Sequence, residues 1–352
     1  MTISSESAEP APKKRSSRVY MIVAVIIAAV LLVWSLQDVD WGNFVNVLKT
    51  TQYDIMALAF ITFSVSFFFR ALRWQVLLSA EKKLSVPTVF WGTMIGYLGN
   101  NVLPARAGEV IRSALIGRKT RISISYVLAT ALTERIIDVP ALVLASLLAI
   151  NALPNVPDWV TKGTQTFAVL GIIGIAGIFI LPYLEKWIKA VIEPILARLP
   201  IPGHVGESLI KLLEEFLYGM KALHSPIRAV LFAVLTVIIW LTEAYLAIQV
   251  ASAMHIVLTL PQSLLLLAGL GFGSAVPSTP GYVGIYQAVC VRLLTLPLFG
   301  GYKNEMALAF SILFQGLTLV VVLFWGVLGF WRMSAMPEPA AIPDAQVEQA
   351  PV

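Results

Sequence analysis

Long apolar runs separated by short charged clusters set the pattern of this chain. Six of them, at 19–36, 55–78, 125–150, 164–183, 229–254 and 306–331, are each long enough to cross a bilayer core of about 30 Å as a helix. Two further apolar stretches are interrupted. In 86–117, Gly92, Gly96, Gly99 and the pair Asn100-Asn101 make a poor straight helix, and Pro104, Arg106, Gly108, Glu109 and Arg112 follow within a few residues. In 257–298 the one charge is Arg292, and Pro277 and Pro280-Gly281 break the run ahead of Gly284. Irregular backbone at membrane depth survives only where it is buried in protein or lines a wet cavity. The two breaks are therefore candidates for a functional site.

The charges orient the runs. Lys13, Lys14, Arg15 and Arg18 precede the first run, and Asp38, Asp40 and Asp54 follow it, which places the N-terminus in the cytoplasm and the acidic stretch in an external loop. A cleaved signal peptide is the competing reading of 19–36, but no convincing small-residue cleavage site follows it. The run 86–117 lies between Lys82-Lys83 and Arg118, Lys119 and Arg121. Positive charge on both sides predicts that it enters and leaves by the cytoplasmic face as a re-entrant hairpin. By the same count 257–298 is a second hairpin, from outside. Charge alternates with apolar residues over 185–228, as in amphipathic helices lying on the inner surface, with a break at 200–203. The ends, 1–18 and 333–352, have the composition of disordered tails. The expectation is an all-α polytopic membrane protein: one domain over 19–332, about six spanning helices plus two re-entrant helical hairpins, and both termini on the cytoplasmic side of the inner membrane.

Composition agrees and narrows the function. Of 352 residues, 58% are hydrophobic and 13% charged, and the mean hydropathy is +0.82, far from soluble-protein usage. The net charge of +5, from 25 Lys and Arg against 20 Asp and Glu, gathers at the ends of apolar runs, so topology accounts for it and no nucleic-acid partner is implied. Cys290 is the single cysteine, and His204, His224 and His255 are scattered. No metal spacing, nucleotide-binding glycine loop or Ser/His/Asp constellation is present. The chain is expected to carry no cofactor and not to be an enzyme.

An internal repeat runs through the sequence. An offset of 173 residues aligns Asn101-Val102-Leu103-Pro104 with Ser274-Ala275-Val276-Pro277, Gly96 with Gly269, Gly108 with Gly281, and Arg70 with Glu243. Coincidental Gly and Pro punctuation is the alternative. With one hairpin inside and the other outside, the repeats would be inverted, the architecture of many secondary transporters.

A charge inside a span costs about 2.5–3.5 kcal/mol on insertion scales, so it normally pairs or faces water. Glu134 and Asp138 share a helix face, and Arg135 can reach Asp138. They either lock the bundle or line a cavity. Arg106, Glu109 and Arg112 form one stripe directly after the Pro104 break, where an arginine fork near a helix N-terminus suits phosphate oxygens; snorkelling is the alternative, and it fits Arg112 well. Arg70 and Arg73 read as interface anchors. Glu243, deep and without a local counter-charge, is expected to face the cavity.

The ordered set Asn101-x-Leu103-Pro104-x-Arg106-x-Gly108-Glu109-x-x-Arg112, Thr133-Glu134-Arg135 with Asp138, and Pro277-x-x-Pro280-Gly281-x-x-Gly284 resembles the flippase-like membrane domain of lysylphosphatidylglycerol synthases over about 19–331. The aminoacyltransferase domain of those synthases is absent from this sequence. Tyr282 and Tyr286-Gln287 depart from the small residue and the acid that members often carry there. The resemblance implies movement of a phosphate-bearing lipid or lipid-linked intermediate, with membrane lipids as partners. The alternative is a non-transporting scaffold for a lipid-modifying or glycosyl-transferring enzyme, with 185–228 as its docking surface.

Overall fold

The computed structural model describes residues 26, 30–36, 39–103, 107–198, 203–274 and 280–335. Most of the first run, residues 1–18 and 336–352, and the break residues Pro104, Arg106 and Pro277 lie outside them, while 333–335, expected to belong to the C-terminal tail, continue the last helix. Twelve complete helices occur among the described residues, and no strand. α1 (Trp41–Thr50) occupies what the sequence suggested was a loop. Asp40 caps it, its carboxylate accepting the Asn43 amide at 3.0 Å, which supplies one of the partners that free helix-end donors need. α2 (Tyr53–Leu78), α3 (Val86–Val102), α4 (Ala107–Thr120), α5 (Ile124–Ala152) and α6 (Asp158–Ile180) follow. α7 (Glu185–Arg198) and α8 (Gly203–Lys221) flank the undescribed 199–202, then come α9 (Pro226–Ala253), α10 (Leu260–Gly273), α11 (Ile285–Leu294) and α12 (Asn304–Ala335). Among them α2, α5, α6, α9 and α12 are long and apolar enough to cross a membrane. The chain is an all-α, multi-pass membrane protein.

The order long helix, two short helices, long helix occurs twice, as α2–α5 and as α9–α12. The matching helices α2 and α9 pack antiparallel. The Gln52 amide at the start of α2 donates to the Ala253 carbonyl at the end of α9 at 2.8 Å, and Arg73 near the end of α2 reaches Thr236 near the start of α9 at 3.2 Å. The first long helices of the two halves thus run in opposite directions. Each also reaches into the other, since α3 packs on α12 and α10 on α5.

α3 and α4 form a tight antiparallel hairpin, and its glycines have a different role from the one the sequence suggested. α3 runs unbroken to Val102, because the glycines face α4 and tertiary packing outweighs their poor helix propensity. A Cβ on Gly92 would meet Ile116 at 2.7 Å, one on Gly96 would meet Arg112 at 2.7 Å, and one on Gly99 would meet the Gly108 Cα at 2.8 Å. The opposing Gly108 has no room either, as a Cβ there would overlap the Gly96 carbonyl oxygen. In the second hairpin Gly269 and Gly273 face Leu293, Val289 and Ile285 of α11 in the same way.

The second break contains a 3-10 turn, Pro280–Tyr282, with Gly281, Tyr282 and Gly284 at positive φ of 70°, 60° and 90°. Glycine takes that conformation without penalty and tyrosine rarely does. Gly281 sits against Asn101, 3.7 Å from the Asn101 carbonyl to an ideal Cβ position. The C-terminal end of α3 thus lies against the described part of the second break.

α7 and α8 form a lateral pair. α8 packs on α5, with Ser123 Oγ donating to Glu215 at 2.8 Å and the Tyr126 and Tyr218 rings in contact. α7 buries no residue and is held to α8 by the Lys189–Glu214 and Lys221–Glu185 pairs. Trp187, Val191 and Ile195, one helical turn apart, are 74%, 60% and 52% exposed.

Candidate functional site

Six charged side chains from α2, α4 and α5 close into a ring of alternating sign. Arg135 Nε lies 3.2 Å from Glu109 Oε1, and Glu109 Oε2 lies 2.6 Å from Arg112 Nη2. Arg112 Nη2 in turn lies 3.1 Å from Glu134 Oε2, and Glu134 Oε1 lies 3.1 Å from Arg73 Nη2. Arg73 Nη1 reaches Asp138 Oδ1 at 2.6 Å, and Asp138 Oδ2 returns to Arg135 Nη1 at 3.4 Å. Every charge touches two of opposite sign, which is how ionised groups tolerate removal from water.

Local geometry puts the ring together. Glu134, Arg135 and Asp138 sit on adjacent turns of α5, so one helix supplies three members. Glu109 and Arg112, at i and i+3 on α4, supply two more. Asn100 at the end of α3 donates to Glu109 Oε1 at 3.2 Å and ties the hairpin's arms, while Asn101 turns back to the Tyr97 carbonyl at 2.9 Å. The Arg112 guanidinium lies 4.2 Å over the Trp74 ring, whose indole N–H donates to Thr130 at 3.1 Å. The hydroxyl of Tyr97 on α3 then links the ring to a seventh charge, Arg70, and through it to an eighth, Glu243. It accepts from Arg135 Nη2 at 2.9 Å and from Arg70 Nη1 at 3.1 Å, and Arg70 Nε donates to Glu243 Oε1 at 2.9 Å. Ser66 Oγ donates to the same carboxylate oxygen at 3.0 Å.

Two expectations change. Arg70 and Arg73 are not interface anchors: the side chain of Arg73 is 0% exposed and enclosed by Glu134, Asp138 and Thr236, and that of Arg70 is held by Glu243. Glu243 has its counter-charge after all, from a helix 173 residues away in sequence. Arg112, for which snorkelling fitted the sequence, has a side chain only 2% exposed, wedged between two carboxylates. The site residues Glu109, Arg112, Glu134, Arg135 and Asp138 thus come together, whereas Asn101 bonds back to the Tyr97 carbonyl and faces Gly281. Sequence reasoning passed over Tyr97 and Ser66, because a hydroxyl in an apolar run gives no signal until its partners are placed.

Arg135 is the open point of the ring. Its side chain is 24% exposed against 0% for Arg73 and 2% for Arg112, and its two carboxylate contacts are the longest in the ring. An anion arriving here could take the guanidinium fork from Glu109 and Asp138 at the smallest loss.

The second break is arranged in neutral groups. Gln287 Oε1 accepts the Gly284 amide at 2.7 Å, Gln287 Nε2 donates to Gln315 Oε1 at 2.6 Å, and Gln315 Nε2 donates to the Gly281 carbonyl. Two glutamines therefore hold the turn where the first half carries charge.

The profile described as "Lysylphosphatidylglycerol synthase TM region" matches residues 21–326. The chain belongs to the lysylphosphatidylglycerol synthase TM region family. A member of this family is a membrane protein connected with lipid-related processes. The chain is also similar to "Glycosyltransferase AglD" of Haloferax volcanii, at 22% identity over 367 residues, which takes in 95% of this chain and 58% of that protein. The chain thus spans less than two thirds of that relative's length.

Proposed function

We propose that this membrane domain carries a phosphate-bearing lipid, or a lipid-linked intermediate, between the leaflets of the cytoplasmic membrane, and that it does so as a transporter rather than an enzyme. The observation that supports this most is the closed charge ring beside the contact of α2 with α9, the antiparallel first helices of the two halves. Buried charge of this extent inside a bundle is rare and marks substrate pathways, and in transporters with inverted repeats the binding site lies near the midplane at the repeat interface. The phosphate enters at Arg135, displaces Glu109 and Asp138 from its guanidinium, and is stabilised by bidentate N–H donors. Glu134 keeps Arg73 and Arg112 in place throughout. Arg106, three residues before Glu109 in sequence, adds a further cation to the first half. In this reading the α3–α4 and α10–α11 hairpins are re-entrant from opposite faces, both termini are cytoplasmic, and rocking of one half against the other exposes the ring to each leaflet in turn.

Lipid analysis tests the reading. Mass spectrometry of lipids retained when the protein is extracted into nanodiscs should show a phosphate-bearing lipid enriched in the native protein and depleted in Arg135→Gln. Equal retention by both, with Arg135→Gln folded, goes against it.

A second reading has support from the glycosyltransferase name of the relative and from the exposed Trp187, Val191 and Ile195 face. Here the domain is a non-transporting partner of a lipid-modifying or glycosyl-transferring enzyme. Co-purification of such an enzyme, lost when the α7 face is made polar and unaffected by Arg135→Gln, would favour it.

A further inference from the structure

The ring and the Arg70–Glu243 pair are two separate ionic groups, and one hydroxyl joins them. Tyr97 Oη accepts from Arg135 Nη2 at 2.9 Å and from Arg70 Nη1 at 3.1 Å. Both its lone pairs are thereby engaged by cations. Arg135 belongs to the open side of the ring, whereas Arg70 holds Glu243 on α9, the first helix of the other half. One hydrogen-bonded route from the open point of the ring to the second half therefore runs Arg135, Tyr97, Arg70, Glu243, and a second, of as many bonds, runs Arg135, Asp138, Arg73, Thr236. The Tyr97 aromatic ring packs at 4.9 Å on Phe67, so its position does not depend on the hydroxyl.

We propose that the Tyr97 hydroxyl is a positioning group that transmits the state of Arg135 to the joint between the two halves. The coupling is a property of the side chains alone; its use in transport rests on the function proposed above. When a phosphate draws the Arg135 guanidinium away, the hydroxyl loses one of its two donors and re-aims, and Arg70 is left held by Glu243 with a weakened second restraint. A change at the head-group site then becomes a change in how tightly α2 grips α9. The ring also touches α9 directly, through Arg73 and Thr236 at 3.2 Å. That contact lies seven residues from Glu243 and does not involve Tyr97, so it provides an internal control.

Hydrogen exchange of the full-length protein in nanodiscs separates the two routes. Arg135→Gln should speed exchange of backbone amides 240–247 about tenfold, the effect of losing one hydrogen bond to a charged group. In a Tyr97→Phe background, which keeps the aromatic packing, the same substitution should add less than about twofold, the non-additivity expected of residues in one network. Amides 230–237, which meet the ring through Arg73, should respond alike in both backgrounds. An equal rise at 240–247 with and without the hydroxyl, or no rise in the first background, overturns the proposal. A second arm follows fluorescent phosphatidylglycerol in vesicles, where Tyr97→Phe should slow transfer about tenfold. If the native protein moves no lipid while the exchange contrast holds, the transport reading falls and the coupling stands.

Discussion

Arg70 and Glu243 occupy matching positions in the two halves of the chain and bond to each other, Nε to Oε1 at 2.9 Å. Two residues that a repeat operation exchanges can touch only where its axis passes, so if the halves are related by an inverted repeat, this pair lies on its axis. Its partners are buried, and removing one leaves an uncompensated charge, at a cost of about 3–5 kcal/mol. Glu243→Gln and Arg70→Gln should each lower thermal stability in nanodiscs by that order. The swap Arg70→Glu with Glu243→Arg should recover part of it, because it restores a pair of opposite charges at the same two positions. Single variants as stable as the native protein would contradict the pairing.

Glu134 is the member of the ring on which most depends, since its two oxygens serve Arg73 and Arg112 separately. Glu134→Gln leaves both guanidiniums short of charge and is expected to cost at least about 3 kcal/mol. Glu134→Asp keeps the charge at shorter reach and should cost less. Thermal unfolding of the two variants side by side checks the order, and Gln equal to Asp would show that geometry, not charge, governs the position.

The hairpin makes a steric prediction. Gly108→Ala places a methyl group on the Gly96 carbonyl, where backbone must move. It should destabilise severely, in the class of core overpacking at about 1–3 kcal/mol or more. Gly163→Ala on α6 meets nothing within 4 Å and should gain up to about 1 kcal/mol from helix propensity. Unfolding temperatures of opposite sign relative to the native protein are the expected result.

Much of this was legible in sequence. The five described spans fall within a few residues of the apolar runs, since bilayer thickness fixes their length. The 173-residue offset, suggested by a few Gly, Pro and charged positions, is matched by the antiparallel packing of α2 on α9. The ring was partly legible: Glu134, Arg135 and Asp138 share a helix, so spacing predicts their proximity, as it does for Glu109 and Arg112. What joins the two sets is Arg73, which position near a run's end marked as an anchor. Depth along a span says nothing about which side of a helix faces the bundle, and on α2 that side is the one with Ser66, Arg70 and Arg73. The glycines of α3 were misjudged for a related reason, because propensity counts the cost of glycine and cannot see the helix packed against it. The cap that makes α1 a helix was present in the sequence as Asp40, but three nearby acids suggested a loop.

The neutral half carries its own prediction. Gln315 holds the Gly281 carbonyl and the Gln287 amide together. Gln315→Leu leaves both without that partner and should cost about 1–3 kcal/mol. The loosened turn should also become accessible to a protease able to reach it, which limited proteolysis in nanodiscs would show. An unchanged cleavage pattern with unchanged stability would mean the glutamines do not hold the break.

The most direct test of lipid movement is a leaflet assay. Purified protein is reconstituted into vesicles carrying a fluorescent phospholipid, and loss of signal to a membrane-impermeant quencher reports transfer between leaflets. Native protein should raise the transfer rate above protein-free vesicles. Arg135→Gln and Glu134→Gln, each verified as folded, should lower it about tenfold or more, equivalent to at least 1.4 kcal/mol of lost stabilisation. Transfer at the native rate by both folded variants would contradict a role for the charge ring in moving lipid.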